Sequence, residues 1–447
     1  MLREALHRHL LIPLVFRVQG SSRGAFYREL LRTQWYPKEK ISKLSLTRLN
    51  GILRHASENV PYYSKMFKKI NFDGHTNSMH DFAAIPILTR DIIQNCASSL
   101  TANDSETYKM KENSTGGSTG EPIHFYITKV SHDYSSADIM RHYNWAGLEL
   151  GEKHAFLWGA ERDSPMNSRK GKLHARALRY IWMNSFRISD SMMYEYVKLM
   201  RNYEPKILIG YASNLYALAK FLERENLDAP VLKGIQSSAE KLFSWQRKTI
   251  ENQFDCPVFD RYGCREVGNI AHECQEHDGL HISQELMHVE VVKENEPAAI
   301  GEEGDIVLTS FMNYAFPFIR YRTGDTGILL DPDEKCSCGR SLAKLSTKIG
   351  RTSDIFHFEK GVSVHGEYFT HLFYSMSNVR QFQVVQKSKS KLLIRIVPIN
   401  KENTIAVEHL KQEITEWIGL PLEIEVEYME NINPTKTGKL RFTISNV

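Results

Sequence analysis

The sequence predicts an α/β protein with a large multi-layer N-terminal domain and a small C-terminal α/β domain. Three observations carry that expectation. From residue 205, apolar strand-like runs alternate with helical stretches. KILIGY (Lys206 to Tyr211), GIQSSAE (Gly234 to Glu240) and VFDRYG (Val258 to Gly263) each run into a loop, with helices to about Arg224 and over 243–253 between them. Residues 284–330 then read as β-rich, with a turn at Glu302-Glu303-Gly304-Asp305. After residue 355 a separate unit follows, in which KLLIRIVP (Lys391 to Pro398) and PLEIEVEYM (Pro421 to Met429) are strands flanking a helix over 403–418.

Ahead of this pattern the chain is helical. Over 25–70, Leu46, Leu49 and Leu53 fall on one helix face, and that helix ends before Pro61. A second helical stretch covers 131–150. Leu10 to Phe16 (LLIPLVF) is a short apolar patch beside Arg3, Arg8 and Arg17, broken by Pro13. It reads as a helix or strand packed on the body, with contact to a membrane surface as the alternative. Between 161 and 187 the chain is basic (Arg162, Arg169, Lys170, Lys172, Arg176, Arg179, Arg187). A solvated helix face is the favoured reading, and a docking surface for an anionic substrate is the other.

Composition excludes several classes. The 447 residues are 42% hydrophobic and 25% charged, the profile of a soluble globular protein with two or three cored domains. A net charge of +4, from 57 basic and 53 acidic residues, is too mild to imply nucleic acid. Six cysteines in this length do not make a disulfide framework. No apolar run reaches the roughly 18 residues of a membrane span, and the expected location is cytoplasmic.

Chemistry concentrates first in Asn113 to Pro122, NSTGGSTGEP. Gly116, Gly117 and Gly120 let the backbone turn tightly and bring N–H groups to an anion. Ser114, Thr115, Ser118 and Thr119 add hydroxyl donors. The common P-loop is excluded, because Gly120 is followed by Glu121 and Pro122 rather than Lys-Ser/Thr. In an α/β sheet, ligands lie at the carboxyl ends of strands, where Ser237 to Glu240 and Tyr262 to Glu266 fall. Tyr262 offers an aromatic face for a base, and Glu266 a carboxylate suited to Mg²⁺. YRTGD (Tyr321 to Asp325) sets a carboxylate after a glycine turn, as a ribose diol requires. GRTSD (Gly350 to Asp354) adds Arg351, and PTKTGKLR (Pro434 to Arg441) presents Lys439.

On these segments the sequence resembles the adenylate-forming superfamily of acyl-CoA synthetases. Within it the chain is similar to the phenylacetate–CoA ligase family, on the branch of capsular-polysaccharide biosynthesis proteins. The resemblance spans almost the whole chain. It rests on HASENVPYYSKMF (His55 to Phe67), IPILTRDII (Ile85 to Ile93), STGGSTGEP, SSAEKL, DRYGCREVG, PFIRYRTGD, CSCGR, IGRTSD and the final TGK.

It implies a two-step reaction. A carboxylic acid reacts with ATP to give an acyl-adenylate and pyrophosphate, and a nucleophile, usually coenzyme A, displaces AMP. Residue by residue, it implies that Ser114, Thr115, Gly116, Gly117, Ser118, Thr119 and Gly120 cradle the β- and γ-phosphates. Ser238, Ala239 and Glu240 line the adenine pocket, Tyr262 and Gly263 lie against the ring, and Glu266 binds Mg²⁺. Asp325 holds the ribose hydroxyls with Arg351 nearby, and Lys439 reaches the α-phosphate. It also implies an N-terminal adenylation (AMP-binding) domain over 1–349, a hinge at 350–354, and a mobile C-terminal domain over 355–447 carrying the catalytic lysine. The chain departs from the family at Glu121, where a lysine is common, and at Ser353, where the hinge usually has an aspartate.

The cysteines add a separate expectation. Cys336 and Cys338 form a Cys-x-Cys pair, and Cys274 precedes His277 and His281. Three thiols and one imidazole suit a tetrahedral structural Zn²⁺, closing a loop of about 60 residues. Three reduced thiols that never meet are the alternative, and the resembled branch, which has such a cysteine set, favours zinc. His281 fits that branch's Gly-Leu-His pattern, while His277 gives the shorter spacing. Cys264, Cys96 and Cys256 read as packing residues.

Two further functions stay open. The acyl group could pass directly to an amine or hydroxyl of a sugar or amino acid in cell-envelope polysaccharide assembly. The chain could also be a non-catalytic nucleotide-binding descendant, against which Glu266, Asp325, Arg351 and Lys439 argue. The expected partners are ATP, a small carboxylic acid, and coenzyme A or an amine or sugar acceptor. The resemblance also allows a homodimer and peripheral association with envelope-biosynthesis machinery. Trp145, Trp158 and Tyr211 are weak candidates for the acid pocket, because aromatic residues are more often core.

Overall fold

The computed structural model describes residues 2–79, 81–114, 123–158, 167–185, 187–188, 190–239, 242–347, 349, 355–374, 376, 378–398, 406–432, 443–445 and 447. The chain begins with helix α1 (Leu2–Leu6), a π-helical turn (His7–Leu11) and α2 (Ile12–Val18), so the apolar patch at Leu10 to Phe16 is helix rather than strand. Helices α3 (Arg23–Thr33), α4 (Lys38–Asn59) and α5 (Pro61–Lys69) follow. Leu49 and Leu53 are buried on one face of α4, and Leu46 packs beside them. Pro61 opens α5, where a missing N–H costs nothing. Helix α6 (Arg90–Leu100) is capped by Thr89, whose hydroxyl accepts from the Ile92 N–H.

Strands β1 (Met110–Ser114) and β2 (His124–Thr128) pair antiparallel, with Ser114 opposite His124. The Gly-rich run is therefore the connection of this hairpin; its residues 115–122 lie outside the described residues. Helix α7 (Lys129–Trp145) leaves β2 through a Thr128 cap.

The next elements alternate strand and helix, starting at residue 154, ahead of residue 205 where the sequence predicts the alternation. They are β3 (His154–Leu157), α8 (Arg169–Leu178), β4 (Tyr180–Met183), β5 (Arg187–Ile188), α9 (Asp190–Tyr203), β6 (Ile207–Tyr211), α10 (Ala212–Arg224), β7 (Gly234–Ser238), α11 (Ser244–Phe254) and β8 (Val258–Cys264). Antiparallel strands β9 (Gly268–Glu273), β10 (Leu280–Ile282), β11 (Met287–Lys293), β12 (Glu296–Pro297), β13 (Glu303–Ser310), β14 (Tyr321–Ile328) and β15 (Lys344–Leu345) complete this part. Eight of these strands form one sheet in the order β15-β10-β9-β8-β7-β6-β3-β4. Its half from β8 to β4 is parallel, and β9, β10 and β15 extend it antiparallel. Every residue of β6 and β7 is buried, as expected of strands covered on both faces.

A second sheet, β12-β11-β13-β14, covers the β-rich stretch. The turn expected at Glu302–Asp305 lies slightly earlier, because Glu303 already starts β13. Gly301 makes the bend at φ +84°, and the Glu302 N–H donates to the Ala299 carbonyl.

The last unit contains β16 (Ile355–His357), β17 (Ser363–His365), α12 (Glu367–Tyr374), β18 (Val379–Ser388), β19 (Lys391–Pro398), α13 (Val407–Ile418), β20 (Glu423–Tyr428) and β21 (Thr443–Ser445). The helix predicted from 403 begins at Val407 among the described residues and ends at Gly419, φ +75°. Phe356, Phe369, Ile394 and Ile414 centre its own core. This unit is not wholly separate, since β17 pairs with β5 and Tyr211 of β6 joins its core. Among the described residues no helix is long and apolar enough to cross a membrane.

Candidate functional site

The carboxyl end of β8 and the turn after it face β14, and two hydrogen bonds join them. The Tyr262 hydroxyl donates to Asp325 Oδ2 at 2.9 Å, and the Tyr321 hydroxyl donates to Glu266 Oε1 at 2.7 Å. The arrangement is reciprocal: β8 and its turn supply a tyrosine and a glutamate, while β14 supplies an aspartate and a tyrosine. It follows from strand geometry. Tyr321, Thr323 and Asp325 alternate onto the buried face of β14. The Thr323 hydroxyl accepts from the Asp325 N–H at 3.1 Å, tightening the glycine turn at Gly324. Burial and then the Asp325 charge push the Tyr262 phenol well above its ordinary value; burial and Glu266 do the same to Tyr321. Both phenols therefore stay protonated and keep donating.

Ser238 lies on the neighbouring strand. Its buried Oγ accepts from Arg261 Nε at 2.9 Å, and the Arg261 guanidinium stands over the Trp158 ring, 5.9 Å from its centroid. The next residue, Ala239, is exposed at φ +68°, a left-handed conformation that costs a non-glycine residue about 1 kcal/mol. That turn bends the chain out of the sheet directly beside Tyr262. Gly263 is required sterically, because a Cβ there would meet the Gly268 carbonyl at 2.6 Å. At the edge of the crevice, Arg265 Nη1 reaches the Ser114 carbonyl at 3.5 Å, bringing the end of β1 to the β8 turn.

A buried acidic pair underlies β8. Glu273 accepts from both Arg247 Nη2 contacts at 2.8 Å and from the Asp260 N–H at 2.7 Å. Burial and the adjacent Glu273 push the Asp260 carboxyl up to about 8. Glu273 itself is held below its ordinary value: burial raises it, but His277 and Arg247 outweigh that. Farther along, Arg320 grips Glu290 through Nε and Nη2 at 3.1 and 2.9 Å and anchors the start of β14.

The sequence motifs contained Arg261 and Tyr321 but assigned them no role. Both act on a partner from a distant segment, which residue type and local spacing do not reveal. Glu240, Thr115 to Gly120, Arg351 and Lys439 fall outside the described residues, as does the segment 350–354.

The aromatic candidates separate. Trp145 lies in the core, where its Nε1 donates to Gln34 Oε1 at 2.7 Å and its ring packs with Ile41 and Leu342. That placement takes it out of the acid pocket. The Trp158 and Tyr211 rings pack at a 39° tilt, their centroids 4.5 Å apart, at the carboxyl ends of β3 and β6, next to the Arg261–Ser238 contact. Burial and Glu266 push the Cys264 thiol well up, so it is protonated and a poor nucleophile.

Cys274, His281, Cys336 and Cys338 converge, their ligand atoms all within 4.8 Å of one another. Cys274 Sγ and Cys336 Sγ are 3.6 Å apart, too far for the roughly 2.05 Å of a disulfide. Cys338 Sγ lies 3.4 Å from His281 Nε2. A tetrahedral Zn²⁺ would hold sulfurs about 3.8 Å apart and sulfur and nitrogen about 3.6 Å apart, so the donor set fits that ion. His281 Nδ1 donates to the Leu342 carbonyl at 3.1 Å, which leaves the Nε2 lone pair facing the thiols. A hydrogen bond from Cys274 holds Cys338 well below the ordinary thiol range, with support from His281 and the Arg340 N–H. Of the two histidines in question, His277 faces away; its Nδ1 lies 3.2 Å from both Glu273 Oε2 and Arg247 Nη1.

Known proteins share this architecture. Residues 356–446 match the CapK C-terminal domain. Protein CapK of Staphylococcus aureus is 23% identical, over 97% of this chain and 98% of its own length. Phenylacetate-coenzyme A ligase of Thermus thermophilus is 24% identical, over 85% of this chain and 83% of its own. The structure of 2-hydroxyisobutyryl-CoA ligase in complex with 2-HIB-AMP and CoA has the same fold, with a TM-score of 0.63 and 21% identity, covering 93% of this chain and 91% of that one. The chain is thus similar to CapK and to phenylacetate-coenzyme A ligase over most of its length, matches the CapK C-terminal domain over its last unit, and has the fold of an acyl-CoA ligase.

Proposed function

We propose that the chain is an adenylate-forming ligase that activates a carboxylic acid with ATP and passes the acyl group to coenzyme A. The observation that carries this reading is the reciprocal pair of tyrosine–carboxylate bonds, which sets Asp325 and Glu266 beside Ser238 and Ala239 at the carboxyl ends of β7 and β8. Similarity to phenylacetate-coenzyme A ligase supports it.

In the first step a carboxylate oxygen of the acid bonds to the α-phosphorus of ATP, and the bond to pyrophosphate breaks. In the second, the sulfur of coenzyme A bonds to the acyl carbon and AMP leaves. Such chemistry asks for positioning and charge neutralisation. The turn from Ser114 to Gly120 is assigned to the β- and γ-phosphates. Ser238, Ala239 and Glu240 border the adenine, with Tyr262 and Gly263 against its face. Asp325 takes the ribose hydroxyls with Arg351 close by, and Lys439 takes the α-phosphate and the acid's carboxylate. Glu266 would hold Mg²⁺, which when bound neutralises phosphate charge. Tyr321 keeps that carboxylate oriented.

The assigned domains are 1–349 and 355–447, with a hinge at 350–354 that presents Lys439 for adenylation and withdraws it for transfer. Breaking the β5–β17 pairing would be part of that motion. Cys274, His281, Cys336 and Cys338 would hold a structural Zn²⁺ with four protein ligands and no open position, pinning β9 and β10 to the loop before β15. The location assigned is cytoplasmic.

A second reading keeps adenylation and sends the acyl group to an amine or hydroxyl of a sugar or amino acid in envelope polysaccharide assembly. The match of 356–446 to the CapK C-terminal domain favours it, as does Glu121 in the phosphate loop. Pyrophosphate release across a panel of carboxylic acids, with and without coenzyme A, tests both. Release that depends on one acid and continues to a thioester supports the ligase. Release that stalls until an amino sugar is added supports the second reading. ATP binding without release for any acid counts against both.

A further inference from the structure

The outer face of the N-terminal helices is apolar and uncovered. Leu6, Leu10 and Leu14 are 48%, 57% and 51% exposed, and Val18 is 79% exposed. They recur every four residues. In a pure α-helix that spacing drifts by about 40° per step. The π turn at His7–Leu11, with its wider winding, counters the drift, so the four side chains run as one stripe. The stripe cannot roll inward. Ile12 and Phe16 are buried on the opposite face, His7 Nδ1 is 2.9 Å from the Ala177 carbonyl, and Arg8 Nε donates to the Leu150 carbonyl at 2.8 Å. The His7 contact joins this rod to α8, which adds a further exposed apolar side chain, Leu173, at 70%.

Cations surround the stripe. Arg3 and Arg17 are exposed on the N-terminal helices, and Arg169, Lys170, Lys172 and Arg176 are exposed on α8. None of the six has an acidic partner among the described residues. Against them, the N-terminal helices carry one acidic residue, Glu4, which is half-buried.

We infer that this face docks on the surface of an anionic lipid bilayer. A leucine stripe flanked by unpaired arginines and lysines matches an apolar interior beneath negatively charged headgroups: the leucines enter the headgroup–acyl boundary and the cations meet the phosphates. A protein partner or a second copy of this chain would need an acidic surface opposite the six cations; the N-terminal helices themselves carry only Glu4, and exposed Glu149 beside them is already paired with Arg8. The inference does not depend on the catalytic reading.

Co-sedimentation of the full chain with vesicles tests it, comparing phosphatidylcholine containing phosphatidylglycerol with phosphatidylcholine alone. The wild-type chain should pellet with the anionic vesicles, and high salt should release it. Leu10→Gln with Leu14→Gln, and separately Lys170→Glu with Lys172→Glu, should each weaken partition by about ten-fold or more. All four side chains are exposed, and the salt dependence of the wild type needs no variant, so a folding defect cannot decide the result. Failure of the wild type to pellet with anionic vesicles overturns the inference. So does pelleting that neither pair of substitutions reduces. A dimer that the leucine substitutions dissolve, with no vesicle binding, would likewise overturn it and assign the face to a second copy.

Discussion

Tyr262 donates its phenolic hydrogen to Asp325 over 2.9 Å, tying β8 to β14 across 63 residues of sequence. Four residues along each segment, Tyr321 and Glu266 repeat the bond with the roles exchanged. The two carboxylates assigned to ribose and to Mg²⁺ are thus each oriented by a tyrosine from the opposite strand.

Removing Asp325 should weaken nucleotide binding more than turnover. Asp325→Ala is expected to raise KM for ATP by about 10- to 100-fold, the value of charge-assisted hydrogen bonds to two hydroxyls. Tyr262→Phe should cost far less, because Asp325 keeps its charge. Steady-state kinetics with varied ATP check this. An unchanged KM in Asp325→Ala would remove the ribose role.

For Glu266 the expected loss is in the chemical step. Glu266→Gln should lower the adenylation rate by on the order of 10²-fold or more, because metal-assisted charge neutralisation contributes several kcal/mol. Tyr321→Phe should fall between this variant and wild type and require more Mg²⁺ for half-maximal rate. A Mg²⁺ titration of each variant separates that positioning effect from a general loss of stability.

Asp260 predicts a pH dependence of stability. Its folded-state value, pushed up to about 8, lies above the ordinary carboxylate value near 3.8. Between those values the folded state binds more protons than the unfolded state, so stability falls as pH rises through that window. Glu273 is shifted the other way, and its contribution is lost only at acid pH below its ordinary value of 4.5. Asp260→Asn should therefore flatten the decline between pH 5 and about 8. Denaturant melts at several pH values measure it, and an unchanged slope would count against a protonated Asp260.

Metal analysis of protein purified without chelators should find one zinc per chain. Cys336→Ser should lose it and destabilise the fold by several kcal/mol, as removal of a structural site does. His277→Gln should keep it, because His277 pairs with Glu273 instead. Retention of zinc in Cys336→Ser would dismiss the site.

The alternating part of the fold was legible in the sequence. Ile207–Tyr211, Gly234–Ser238 and Val258–Cys264 are strands within a residue or two of expectation; the first is an apolar run, as buried parallel strands are, and the other two are short stretches set between helices and turn residues. The two-residue strand β5 was not legible, nor was its pairing with β17, since nothing local in Arg187–Ile188 specifies a partner so distant in sequence. The site divides likewise. Tyr262, Glu266 and Asp325 could be singled out by residue type and turn context, whereas Tyr321 and Arg261 became visible only when β14 and β7 lay beside β8. The choice between His277 and His281 also needed register. β9 and β10 set His281 opposite His272, whereas His277 stays in the intervening turn with Glu273.

In the proposed reaction the acid's own oxygen becomes bonded to the α-phosphorus. Once the acid panel names a substrate, one turnover with that acid carrying ¹⁸O in its carboxylate tests it directly. Acyl-adenylate chemistry predicts one labelled oxygen in the AMP and none in inorganic phosphate or pyrophosphate. Label in inorganic phosphate with ADP as the second product, or AMP without label, would contradict it.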